Sequence, residues 1–233
     1  MSKEKKKILA VVPARGGSKG IRLKNLKKIN GKSLIQIVSE VILKSKIFTN
    51  AVVSTDNNLI RKEALKFGLD VPFIRPKSLS GDLISDVEVL RHALKKSESF
   101  YKVHYDYIMM LQPTSPLRTK KDLLKLASMM NKKKYDAIWT ISETDLKFHP
   151  LKQLKINDGL LNYWDSKGKN IIARQQLNPV YHRNGVGYII SRECLVKKNS
   201  IKGNKTGFLL VKTPQISIDT LEDLKKAEMI KKF

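Results

Sequence analysis

The run Val12-Pro13-Ala14-Arg15-Gly16-Gly17-Ser18-Lys19-Gly20, followed by Lys24-Asn25, gathers residue types suited to chemistry on an anion. Glycines let backbone N–H groups come close to phosphate oxygens, and Arg15, Lys19 and Lys24 add charge-assisted donors. A flexible basic loop without a ligand is the plainer alternative. Two familiar phosphate motifs fail here. Gly16-Gly17-Ser18-Lys19-Gly20 does not fit G-x-G-x-x-G, and Gly31-Lys32-Ser33 resembles the end of a Walker A loop whose first glycine is replaced by Leu26. Both mismatches argue against a dinucleotide-dependent dehydrogenase and a P-loop kinase.

Other candidates are more equivocal. Gln112-Pro113-Thr114-Ser115-Pro116 follows an apolar run and reads as either a tight connection or a site. Asp219 offers carboxylate oxygen to a hard cation, yet it also stands where a helix cap is expected. Tyr188 lies in an apolar strand pattern, where core packing is the simple reading. His92, His104, His149 and His182 show no ligand spacing, so a zinc site is not expected. No nucleophile–base pair is visible.

These residues must be held by an alternating pattern of elements. Strands are predicted at Ile8–Pro13, Ala51–Ser54, Val71–Ile74, Tyr107–Leu111, Ala137–Ile141 and Val186–Ile190. Helices are predicted at Ser33–Ser45, Asn57–Phe67, Ser85–Lys96, Lys120–Asn131 and Leu221–Lys231. Such alternation indicates an α/β fold, with a parallel sheet covered on both faces. The loop from Arg15 to Gly20 then lies beyond the carboxyl end of the first strand, where open α/β sheets bind ligands. From Ser142 to Arg183 the rhythm breaks, with His149-Pro150, Asn157-Asp158-Gly159 and Asn178-Pro179 as turn signals. Asn157-Asp158-Gly159 between Leu154–Ile156 and Leu160–Tyr163 predicts a small hairpin.

The chain has 233 residues, enough for one α/β domain, and a net charge of +25. Charge of this sign attracts anionic substrates and raises the question of nucleic acid. Of 46 basic residues, however, only 9 are Arg, and the Lys are scattered along the chain. Base readout favours clustered Arg, so nucleic acid is not the expected partner. The apolar run after the charged start, Ile8 to Val12, falls short of the about 7–15 residues of a secretory core. Nothing approaches the roughly 20 apolar residues of a membrane span. With one cysteine, Cys194, a reducing, cytoplasmic setting is expected.

Taken in order, the motifs become specific. Ala14 to Gly20 with Lys24-Asn25 resembles the signature of the acylneuraminate cytidylyltransferases, or CMP-sialic acid synthetases. The resemblance continues through Ser54-Thr55-Asp56, Phe73-Ile74-Arg75-Pro76, Leu111 to Arg118 and His149-Pro150-Leu151-Lys152. It extends to Arg174-Gln175-Gln176-Leu177, Asn184-Gly185 and Ile218-Asp219-Thr220, spanning nearly the whole chain. It implies a three-layer, Rossmann-like nucleotidyltransferase fold with a mainly parallel sheet, one domain over residues 1–233. The stretch 142–183 would be an insertion serving dimerisation or substrate contact.

By the same resemblance, CTP would be held by Arg15, Gly16, Gly17, Ser18, Lys19, Lys24, Asn25 and Arg75. Gln112, Lys152, Arg174, Asn184 and Tyr188 would contact an acidic sugar, and Asp219 would ligate Mg²⁺. Arg15, Lys19, Lys24 and Asp219 would carry catalysis, in a homodimer that joins CMP to a nonulosonic acid and releases pyrophosphate. The sequence departs from the family's pattern in places. Where the family places two acids before the final helix, this chain has Ser217 and Asp219; Asp86 replaces a serine; Ser200-Ile201 replaces an aromatic pair. These changes leave the sugar open among sialic, legionaminic and pseudaminic acids, and Ser217 admits a catalytically impaired basic nucleotide- or RNA-binding homologue. The related CMP-Kdo synthetases, a weaker match in the first loop, are the enzymatic alternative.

Overall fold

Apolar residues along Ile8–Pro13 (β1) alternate sides, as strand geometry requires. Ile8, Ala10 and Val12 enter one buried cluster, Leu9 and Val11 a second on the opposite face. The computed structural model, which describes residues 6–132 and 134–230, builds both clusters on one sheet. After β1 come a short hairpin, Lys28–Ile29 (β2) and Lys32–Ser33 (β3), then Asn50–Ser54 (β4), Tyr107–Met110 (β5) and Ala137–Glu143 (β6). Leu154–Asn157 (β7), Leu160–Tyr163 (β8), Tyr181–Ser191 (β9) and Thr206–Leu210 (β10) follow. The helices are Leu34–Ser45 (α1), Asn58–Lys66 (α2), Asp86–Tyr101 (α3), Lys120–Lys132 (α4), Arg192–Val196 (α5) and Leu221–Ile230 (α6).

Six strands form the sheet in the order β10-β6-β9-β5-β1-β4. Helices α1, α2 and α4 bury their apolar stripes in the first cluster, and α3 and α5 in the second. The result is the expected three-layer α/β arrangement. Local chemistry sets the helix starts. Ser33 caps α1, Asn57 caps α2, and Ser85 with Glu88 closes a reciprocal capping box on α3.

Three expectations change. Val71–Ile74 is not a strand; only Asp70 bridges to Val52 at that edge. Pro72 lies within the segment and Pro76 follows it closely, and a proline removes the ladder donor that a strand needs. The strand expected at Val186–Ile190 runs from Tyr181 to Ser191 and lies antiparallel to both β5 and β6. An apolar run looks the same in either direction, so its polarity becomes visible only with the connection through the arm. Strand β10, parallel to β6, fills the far edge, and Gly207 and the Lys/Asn/Gly-rich approach obscure it in the sequence. The last helix is described to Ile230; Lys231, expected within it, lies outside the described residues.

Between β6 and β9 the chain leaves the sheet as an arm, and β7 and β8 pair antiparallel within it. Asp158 and Gly159 both adopt positive φ, 51° and 77°, as a two-residue hairpin turn of the right hand demands. Behind the first loop, Ile21, Ile29, Leu34, Ile218, Leu224 and Ala227 make a third, smaller cluster that docks α6 against the β2–β3 hairpin. Among the described residues no helix is long and apolar enough to cross a membrane.

Candidate active site

The carboxyl ends of β1 and β5 open into a cleft of about 470 Å³. Its walls include Arg15, Ser18, Lys19, Gly20, Lys24 and Asn25 from the first loop, Arg75, Gln112, and Asp219 from near the other end of the chain. Residues far apart in sequence are thus joined at the place the strand order predicts for a ligand.

The loop is shaped by groups that do not themselves need a ligand. Gly16 N–H donates to Asp56 Oδ1 at 2.8 Å, and buried Asn25 donates through Nδ2 to the Arg15 carbonyl at 3.1 Å. A Cβ on Gly20 would stand 2.5 Å from the Asp219 carbonyl oxygen, so glycine is what lets the two chain segments meet. Ile218 N–H donates to the Thr114 carbonyl at 2.9 Å, tying the Asp219 segment to the turn after β5.

Four cations converge here. Arg15 Nη2 lies 2.6 Å from Asp82 Oδ1, and Lys19 Nζ 2.9 Å from Asp82 Oδ2. Lys19 and Arg15 together hold the Asp82 carboxyl below the usual carboxylate range. Lys24 Nζ lies 2.7 Å from Asp219 Oδ1. Arg75 is 4% exposed, and its Nε and Nη2 have no hydrogen-bond partner among the described residues. Burial lowers its pKa, Asp56 opposes that shift, and Arg15 adds to it. Arg75 lines the cleft, and a buried guanidinium with spare donors calls for an anionic or carbonyl-bearing partner.

Asp219 is not the cap of α6. Thr220 and Asp223 perform that task reciprocally: Thr220 N–H donates to Asp223 Oδ2 at 2.8 Å, and Asp223 N–H to Thr220 Oγ1 at 3.2 Å. The Asp219 carboxylate is left to the cleft, with the Ser217 hydroxyl donating to its Oδ2 at 3.2 Å. Asp86, also in the wall, has its carboxyl raised by burial, with Arg183 partly offsetting the effect.

The remaining expected residues divide differently. Gly16 and Gly17 belong to the loop but not to the cleft wall, and no neighbour would meet a Cβ on Gly17. Lys152 and Arg174 are exposed and line a separate cleft of about 290 Å³ in the arm, with Leu151, Tyr163 and Ile172. Asn184 and Tyr188 are buried at 7% and 3% exposure. Asn184 Nδ2 donates to Ser142 Oγ at 3.0 Å, and the Tyr188 hydroxyl accepts from Gly185 N–H at 2.9 Å. Tyr188 also packs edge-on against Trp139. Within this single chain, then, Gln112 is the expected sugar contact that shares a cleft with the loop cations.

Sequence reasoning overlooked Asp82, Asp56 as a ligand of the loop, and Arg118. Asp82 follows a Ser-Gly pair with no periodic signal, and its partners are more than sixty positions away. Arg118 belongs to the recognised block from Leu111, but its role depends on contacts that only folding creates.

A family model described as Cytidylyltransferase matches residues 9–232. The chain is 32% identical over 230 residues to a pseudaminic acid cytidylyltransferase of Campylobacter jejuni, covering 97% of each sequence. It is 30% identical over 213 residues to a CMP-N,N'-diacetyllegionaminic acid synthase of Legionella pneumophila, covering 91% of this chain and 90% of that one. Among solved structures it is similar to a CMP:2-keto-3-deoxy-manno-octonic acid synthetase complexed with CTP. The TM-score is 0.69 and the identity 19%, over 96% of this chain and 98% of the other, a likeness of fold.

Proposed function

Because the chain belongs to the cytidylyltransferase family, we propose that it transfers CMP from CTP to a nonulosonic acid and releases pyrophosphate. The observation that carries this reading is the single cleft in which Arg15, Lys19, Lys24 and Arg75 face Gln112 and Asp219. Phosphoryl-type transfer is driven by positioning and charge neutralisation more than by covalent help from the protein. The anomeric 2-hydroxyl of the sugar acid attacks the α-phosphorus; a P–O bond forms to the sugar as the bond to pyrophosphate breaks, and the hydroxyl proton leaves to solvent. Arg15, Lys19 and Lys24 spread the charge of the leaving phosphates. Arg75, already desolvated, holds the nucleotide through its spare donors, and Gln112 orients the sugar acid from the end of β5.

The donor set suits a divalent cation that arrives with the triphosphate. Mg²⁺ is commonly held by one or two carboxylates together with substrate phosphates, and Asp219 presents one carboxylate to the cleft. A cation caged wholly by protein does not fit, since no cluster of three or more His, Cys, Asp or Glu is placed to hold one among the described residues. When bound, Mg²⁺ supplies neutralisation of the phosphate charge.

Two further elements belong to this reading. The arm exposes Ile156, Leu160, Leu161, Trp164 and Ile172, each at least 65% accessible, a concentration of apolar surface that suits a homodimer contact. Pairing of two arms is the route by which Lys152 and Arg174 could reach a sugar acid bound in a cleft. A cytoplasmic reaction is in keeping with the free, buried thiol of Cys194.

The test is pyrophosphate release from CTP with Mg²⁺ and a panel of pseudaminic, legionaminic and N-acetylneuraminic acids, with Kdo as the eight-carbon comparison. Turnover with at least one nine-carbon acid is expected. Turnover with Kdo alone would make the protein a CMP-Kdo synthetase, and none with any acid would overturn the reading.

A further inference from the structure

Beneath the cleft, Arg118 is only 3% exposed, and its hydrogen bonds among the described residues go to three backbone carbonyls. Nη2 donates to Gln112 at 2.7 Å and to Gly185 at 2.9 Å, while Nε donates to Val186. Burial lowers its pKa to about 9, which leaves the guanidinium charged at neutral pH. A buried cation is costly, and a well-packed apolar residue commonly serves stability as well or better. The geometry these bonds impose is therefore the informative feature.

That geometry lies where the pairing of β5 with β9 stops. The β5–β9 ladder ends at Met110 opposite Tyr188, so no strand pairing fixes Gln112 against Gly185. One guanidinium nitrogen grips both carbonyls instead. On the far side, Ser115 Oγ donates to the Asn184 carbonyl at 3.0 Å and pins the same crossing. Gly185 has φ +69°, and a Cβ there would stand 2.7 Å from Gln112 Oε1 and also meet Ser115 Oγ. The Gln112 amide thus rests directly on the Gly185 backbone.

We propose that Arg118 is a positioning residue for Gln112: by clamping the Gln112 and Gly185 backbones to one guanidinium, it sets the Gln112 amide in the cleft. The role rests on the transferase reading above, in which Gln112 meets the sugar acid. Arg118→Lys keeps the charge but loses the planar fork that reaches several carbonyls at once.

Steady-state kinetics of the unmodified protein, Arg118→Lys, Gln112→Ala and the double variant form the test. Arg118→Lys should raise KM for the sugar acid about ten-fold and leave KM for CTP within about two-fold. In the Gln112→Ala background the same change should add less than about two-fold, because the amide it positions is gone. A purely structural role predicts otherwise: kcat falls with the folded fraction, both KM values hold, and the two substitutions multiply. That result would overturn the proposal. Should Arg118→Lys not fold, Gly185→Ala strikes the same contact from the opposite side, and multiplicative factors in its cycle with Gln112→Ala count equally against it. Absence of turnover in the unmodified protein removes the transferase reading and this role with it. Turnover with multiplicative factors removes only the role.

Discussion

The loop half of the cleft and the arm are built on opposite principles. In the loop half the backbone around Arg15 is braced: Asn25 holds the Arg15 carbonyl, Asp56 holds Gly16, and a small apolar cluster seats the segment bearing Asp219. In the arm Lys152 and Arg174 sit on short turns beside a hairpin whose apolar side chains face outward, Ile156 at 75% exposure. The contrast follows from what each end would recognise. A triphosphate carries dense, fixed charge that one chain can meet with preorganised donors. The acidic sugar is left mainly to Gln112 and to a surface that is complete, in our reading, only against a second copy.

Four measurements would break or sharpen that contrast, the largest expected effect first. Arg15→Ala should lower kcat/KM about a hundred-fold or more, as loss of one preorganised donor on developing phosphate charge does; a loss below about five-fold would mean that the loop half is not the catalytic end. Next comes the arm. Leu161→Asp places a charge on the outward apolar face and should turn a dimer into a monomer on gel filtration at moderate salt. It should raise KM for the sugar acid about ten-fold while leaving CTP affinity unchanged. A variant that remains dimeric, or that loses CTP binding instead, would dissolve the division between the two halves.

A smaller effect is expected at Asp82, which pairs with both Arg15 and Lys19 and would compete with phosphate for them. Asp82→Asn should tighten CTP about three-fold by calorimetry, the scale of an exposed ion pair, whereas weaker binding would make Asp82 a ligand rather than a competitor. The least effect concerns Asp86. Its carboxyl is raised by burial, so the stability it contributes is greatest when it is protonated and is lost as pH rises through the raised value. Asp86→Asn should therefore melt about 1–3 °C above the unmodified protein at neutral pH and level with it below about pH 4, the helix N-terminus limiting the gain. An offset that grows toward acid pH would contradict the sign.

Much of the scaffold was legible in advance because its signals are local. The continuous apolar run from Ile8 to Pro13 marks β1, and Ser33, Asn57 and Ser85 announce the helices that they cap. The hairpin of β7 and β8 follows from Asn157-Asp158-Gly159. Where expectation failed, competing long-range pairing was the cause. Val71–Ile74 carries apolar side chains, but Pro72 within it, Pro76 after it and the edge position deny it a ladder. Strand β9 carries the right pattern, but its direction depends on how the arm returns the chain to the sheet.

The sequence by itself determined that a glycine-rich basic loop follows the first strand and that Gln112 closes a buried one, since residue type and spacing are enough for both. Tertiary structure alone decided what meets that loop. Lys24 reaches Asp219 across 195 positions, and Arg15 and Lys19 reach Asp82 across more than sixty. Thr220, not Asp219, caps the last helix, and Arg118 finds its carbonyls just past the end of β5 and in the middle of β9. Such contacts are chosen by the packing of the whole sheet and its helices, because a side chain's partner is set by three-dimensional neighbourhood and not by distance along the chain.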